Sequence, residues 1–126
     1  MSEKNSACGC GTGPKLIFAC SGAADVGAIA DQAARKLTKD GAGKMYCLAG
    51  IGGRVSGIME TTKSAAKILA IDGCTLNCVS ECLKKAGFDK FEHFFVTDLG
   101  LEKGKSEVSK TNIDKVVAKG RELLAC

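Results

Sequence analysis

Eight cysteines stand in this chain, at positions 8, 10, 20, 47, 74, 78, 82 and 126. A thiol can serve as a soft metal ligand, a redox group or a nucleophile. Disulfides belong to export and oxidising compartments, whereas thiols kept in a reducing cytoplasm are more often metal ligands or redox groups. The segment Met1-Ser2-Glu3-Lys4-Asn5-Ser6 lacks the apolar run of a secretory signal, so a cytoplasmic setting is expected. Cys78 follows Cys74 by one helical turn, and this Cys-x₃-Cys spacing is not the C-x₂-C of a zinc ribbon. The only histidine, His93, reads as a solvated loop residue ahead of the last strand, at the opposite edge from the thiols, which excludes a histidine-rich site.

Thiols so far apart in sequence need a fold to gather them. Residues 1–14 carry no apolar periodicity and read as a mobile arm containing Cys8-Gly9-Cys10; residues 15–126 read as a single domain. Lys15 to Cys20, Met45 to Leu48, Ile68 to Ile71 and Phe94 to Val96 are short apolar runs that predict buried strands. Between them, Val26, Ile29, Ala30, Ala33 and Leu37 recur at helical spacing, and a weaker helix is expected over Met59 to Lys67. Leu76, Val79, Leu83 and Ala86 form another helical stripe, and Ile113 to Leu124 mark a last helix capped by Thr111 or Asn112. Strands alternating with helices predict a three-layer α/β domain, Rossmann-like or flavodoxin-like, with about four mostly parallel strands.

In such a sheet all strand carboxyl ends share one edge, and ligands bind in the crevice outside it. Cys20, Cys47 and Cys74 close the first three strands, so they are expected to meet there, with Cys78 turned toward the same point. On a helical wheel the stripe of Leu76, Val79, Leu83 and Ala86 centres about 160° from Cys74 and about 120° from Cys78, but only about 80° from Cys82. Cys82 therefore fits half-buried filler, while the other two point away from the core. Four converging thiolates select zinc, copper(I) or an iron–sulfur cluster.

Composition removes other classes. The 45% hydrophobic and 25% charged residues are ordinary globular values, and no run of apolar residues is long enough to cross a membrane. The net charge of +4 is spread over lysines, and five Phe, one Tyr and no Trp leave few stacking platforms for nucleic acid. No nucleic-acid or membrane partner is expected.

The segments Ala19-Cys20-Ser21-Gly22-Ala23-Ala24-Asp25-Val26-Gly27, Met45-Tyr46-Cys47-Leu48-Ala49-Gly50-Ile51-Gly52 and Ile71-Asp72-Gly73-Cys74-Thr75-Leu76-Asn77-Cys78 resemble the DGC-domain family. That family is named for the motif reading Asp72-Gly73-Cys74 here, and Thr97-Asp98-Leu99-Gly100 resembles its late Asp-Leu-Gly segment. The resemblance implies zinc held by Cys20, Cys47, Cys74 and Cys78, and implies no defined activity. Cys8, Cys10, Cys82 and Cys126 fall outside its four-cysteine pattern.

Rival chemistries use the same residues. Cysteine phosphatases leave five residues between the nucleophile and the arginine, but six separate Cys47 from Arg54, and no Ser or Thr follows. Gly41-Ala42-Gly43-Lys44 lacks the first glycine of a phosphate-binding loop and precedes a strand, so it reads as a turn. Asp25, Asp72 and Asp98 sit near the thiol edge, and the first two read as groups satisfying N–H donors at helix starts. Two alternatives to zinc survive: an iron–sulfur site on the same cysteines, and thiol redox or sulfur transfer through them. Four thiolates carry −4 against the +2 of zinc, an excess that a helix N-terminus, a lysine or Arg54 would offset. A four-thiolate site is coordinatively closed, which suits a structural, carrier or sensing role better than an enzyme's.

Overall fold

Leu16-Ile17-Phe18 and Ile68-Leu69-Ala70-Ile71 have no polar side, and a strand apolar on both faces has to be covered on both. In the computed structural model, which describes residues 11–126, these runs form β1 (Lys15–Ala19) and β3 (Lys67–Asp72), the two central strands. The flanking strands are β2 (Lys44–Met45) and β4 (Glu92–Phe95). The order is β2-β1-β3-β4 and every pairing is parallel, with Leu16 opposite Lys44 and Ile68, and Ile71 opposite Phe94.

Alternate residues of the strands feed two cores. Ile17, Ala19, Leu69 and Ile71 pack beneath α1 (Asp25–Lys39) and α5 (Lys110–Leu124), against Val26, Ile29, Ala33, Leu37, Val116 and Val117. Leu16, Phe18, Ile68 and Ala70 face the other way, toward α2 (Leu48–Gly52), α3 (Ser56–Lys63) and α4 (Cys78–Lys85), with Ile51, Val79 and Leu83. Fully burying each large aliphatic or aromatic side chain stabilises by about 1.5–3 kcal/mol, which explains why both layers form. The result is the single three-layer α/β domain the alternation predicts. Among the described residues no helix is long and apolar enough to cross a membrane.

Several boundaries differ from expectation, each for a local reason. The strand expected over Met45 to Leu48 stops at Met45, because Leu48 and the fully buried Ile51 are drawn down as one turn of α2. The next helix begins at Ser56 and ends before Ser64, leaving Lys67 to the sheet. Leu76 is not core: it lies outside α4 and is 69% exposed. The last strand starts at Glu92, and Val96 enters a 3₁₀ turn over Val96–Leu99. Helix α5 is capped by Ser109, whose hydroxyl accepts from Asn112 N–H at 3.2 Å, rather than by Thr111 or Asn112. Most of the expected arm, residues 1–10 with Cys8 and Cys10, lies outside the described residues.

The central strands meet α1 without room for side chains. A Cβ on Gly73 would stand 3.1 Å from both Gly27 N and the carbonyl carbon of Val26, and a Cβ on Gly27 would stand 3.1 Å from Gly22 N and O. Glycine at these positions lets the end of β3 and the start of α1 close on one another.

Candidate thiol site at the carboxyl edge

With strand order β2-β1-β3-β4, the connections leave β1 in opposite directions, and the crevice lies where β1 and β3 end side by side. Cys20 and Cys74 occupy that place. Cys20 N–H donates to Ile71 O at 2.9 Å, extending the β1–β3 pairing by one residue. The Cys20 side chain touches both cores, and its Sγ is 3.5 Å from where a Cβ on Gly27 would stand. Cys74 is half-buried against the α1/α5 core, and Cys78 opens α4 as an exposed residue. All three are free thiols.

Cys78 shows how close these groups lie. Its pKa is raised from the ordinary 9.0, first by burial and then by the neighbouring charges of Cys20, Asp72, Cys74 and Cys82. Cys47 is not among them. It caps α2, is exposed, and accepts from Gly50 N–H at 3.3 Å. From there it faces a groove of about 710 Å³ lined by Met45, Tyr46, Leu48 and the Asp31–Arg35 ion pair. The structure thus brings Cys20, Cys74 and Cys78 together and sets Cys47 at the groove. Among the described residues no three His, Cys, Asp or Glu side chains converge tightly enough to hold a metal ion as placed. The donor chemistry fits a soft cation; closing the set requires the thiols to turn inward. Asn77 sits at φ 67°, and its buried Oδ1 has no hydrogen-bond partner among the described residues.

Asp72 fixes the mouth of the site. It is 1% exposed, and its Oδ1 accepts from Val79 N–H at 2.7 Å. Its Oδ2 accepts from Ser80 N–H at 3.3 Å and Ser80 Oγ–H at 3.0 Å, and pairs with His93 Nε2 at 2.8 Å. The expected helix-start role therefore holds for Asp72, and it takes the α4 N–H groups that a thiolate would otherwise use. His93, expected in a solvated loop at the opposite edge, is instead within β4. It stands opposite Ala70, edge-on to Phe95 with ring centroids 4.7 Å apart, and reaches the buried carboxylate. Asp98 caps a local turn by accepting from Phe95 N–H at 3.3 Å.

The cation beside the thiols is Lys103, which the sequence did not single out. Its Nζ donates to Cys74 Sγ at 3.6 Å. Arg54 is spent elsewhere: at φ 58° it turns its guanidinium onto the carbonyls of Ile51, Gly52 and Lys85, tying α2 to α4 and leaving no phosphate cradle at Cys47. Lys103 belongs to a strap held down by Asp25, whose carboxylate accepts from Gly104 N–H at 2.9 Å and Ser106 N–H at 3.0 Å, as well as from Val26 N–H. Those bonds, Gly104 first and Ser106 next, hold the Asp25 carboxyl below its ordinary value of 3.8. A depressed carboxylate contributes fully above its unfolded value and loses that contribution as pH falls through its folded value. Protection of the Gly104 and Ser106 amides, measured against their intrinsic exchange rates at each pH, is therefore expected to fall as pH drops below 3.8, and at neutral pH in Asp25→Ala. Unchanged protection in that variant would show that other contacts hold the strap.

A parallel α/β domain with reduced thiols gathered at its strand switch point is the class of protein that these elements define. A DGC-domain family model matches residues 16–119, and the chain belongs to that family. It is also 36% identical over 88 residues, 70% of this chain and 67% of the relative, to the "Anaerobic and virulence modulator AnvM" of Pseudomonas aeruginosa. No solved structure matches significantly.

Proposed function

We propose that this chain binds a single zinc ion through a thiolate site built on Cys20, Cys74 and Cys78, with Cys47 as a fourth donor, and that the ion serves a structural, carrier or sensing role in the cytoplasm. The observation that carries this reading is the placing of Cys20 and Cys74 at the ends of the adjacent strands β1 and β3, with Cys78 at the start of α4. Thiolates at one point are the donor set that zinc prefers, and zinc would supply a fixed positive centre to offset them. Lys103 supports the same reading, since it sets a positive charge beside the thiols. The relative is named as a modulator, and a closed thiolate centre is compatible with a sensing role here.

Metal analysis of anaerobically purified protein, beside a thiol count, tests the proposal. About one zinc per chain, lost or weakened in Cys78→Ser, is expected for a closed thiolate site. A brown chromophore with iron and sulfide would replace zinc by an iron–sulfur cluster on the same residues. No metal at all, with a disulfide forming among these cysteines under mild oxidant, would overturn metal binding in favour of thiol exchange.

A further inference from the structure

We infer that the groove between α1 and the start of α2 is a binding site for a small organic anion, a molecule with an apolar body and one negatively charged head such as a carboxylate or sulfonate. The inference stands apart from metal binding, since the groups that carry it are not thiols.

The groove exists because β2 is short. The strand ends at Met45, and the buried Ile51 draws the chain down into α2. One face of α1, carrying Asp31, Arg35 and Thr38 at i, i+4 and i+7, then borders an opening instead of a longer strand. That opening holds about 710 Å³, within the roughly 300–1,000 Å³ of small-molecule clefts. It lies at the carboxyl edge of the sheet, where domains of this class place their ligands. Ala19, Met45, Tyr46, Leu48 and Ala49 give it an apolar wall.

The polar groups of the lining decide what kind of head fits. Thr38 Oγ1 donates to Ala34 O at 2.8 Å and accepts from Met45 N–H at 2.7 Å. The Asp31 carboxylate accepts from Ser21 Oγ–H at 3.1 Å on one oxygen and from Arg35 Nε–H at 2.7 Å on the other. These acceptors are therefore engaged within the chain. The unengaged groups are donors: the terminal nitrogens of Arg35 and the ammonium of Lys44 have no hydrogen-bond partner among the described residues. Lys44 Nζ stands 5.9 Å from the centre of the Tyr46 ring, at the junction of charge and apolar wall. Two cations against one carboxylate leave the groove positive. A carboxylate or sulfonate complements that excess and matches the flat fork of a guanidinium, whereas a cation would meet like charge.

Two fluorescent probes test this on the full chain: anilinonaphthalene sulfonate, and phenylnaphthylamine, which has the same rings and no charge. The sulfonate is expected to bind once per chain and about tenfold more tightly than the neutral probe, the scale of a charge-assisted hydrogen bond. Lys44→Gln combined with Arg35→Gln should remove most of that preference while the neutral probe binds as before. Ala49→Trp, which fills the groove, should weaken both probes at least about tenfold by displacing them from the apolar wall. All three positions are exposed, and native circular dichroism checks that each variant is folded. Equal affinity for the two probes in the wild-type chain would overturn the inference, as would a preference that survives the double variant. Unchanged binding in Ala49→Trp would place the probes elsewhere and overturn it too, and so would no binding of either probe. None of these results bears on zinc, so the proposed function would stand or fall separately.

Discussion

Asp72→Ala is expected to destabilise the fold by about 3–5 kcal/mol, the cost of breaking a buried, hydrogen-bonded charge network from one side. The carboxylate is 1% exposed and serves four donors, so its removal strands two N–H groups of α4, the Ser80 hydroxyl and His93 together. A chain of this size typically holds about 5–15 kcal/mol in total, so the variant would retain only part of its margin. Thermal unfolding followed by circular dichroism should show a midpoint lower by roughly 10–20 °C. Asp72→Asn keeps one acceptor and should fall between the two. A midpoint within a few degrees of wild type for Asp72→Ala would show that the network is not what seats α4.

The second large effect falls on the proposed site. Cys74→Ser replaces a soft thiolate by a hydroxyl that stays protonated near neutral pH. Structural zinc sites of this kind hold their metal with about 10–16 kcal/mol, so one ligand of four accounts for roughly 2.5–4 kcal/mol. Zinc affinity is therefore expected to fall by about a hundredfold to a thousandfold, measured by competition with a chromophoric chelator. Cys74 is the informative choice because it lies at the switch point and under Lys103. Equal affinity in Cys74→Ser and wild type would remove Cys74 from the ligand set.

The architecture was legible because it rests on apolar runs. Leu16 to Phe18 and Ile68 to Ile71 carry no polar residue, and the stripe from Val26 to Leu37 matches one helix face, so strands and helices follow from burial alone. The gathering of Cys20 and Cys74 followed as well, since parallel strands must end on one edge. Cys47 was harder. Its placement depends on where β2 stops, and that is decided by Ile51 packing under the sheet, a tertiary effect that local pattern does not report. Leu76 fitted a helical stripe but falls in a loop, because Asp72 starts α4 two residues later by taking the N–H groups of Val79 and Ser80. His93 and Lys103 left no local signal. One is defined by its register opposite Ala70, the other by a strap that Asp25 anchors from 79 positions away in the chain.

An all-parallel sheet has a consequence for how the thiols survive synthesis. Each parallel pairing needs a crossover, so no two strands here can join as a hairpin, and their contacts are long-range in sequence. Cys20 and Cys74 stand 54 positions apart in the chain, and they come together only once the central strands have docked. Cys74, Cys78 and Cys82 need no docking, since each is four residues from the next. In the unfolded chain this near trio can meet an oxidant or a stray metal ion before any strand has docked, and a bond made there would oppose the turn that seats α4. Refolding from the reduced, metal-free chain should therefore outpace refolding under oxidising conditions, with the lag set by this local trio rather than by the distant pair.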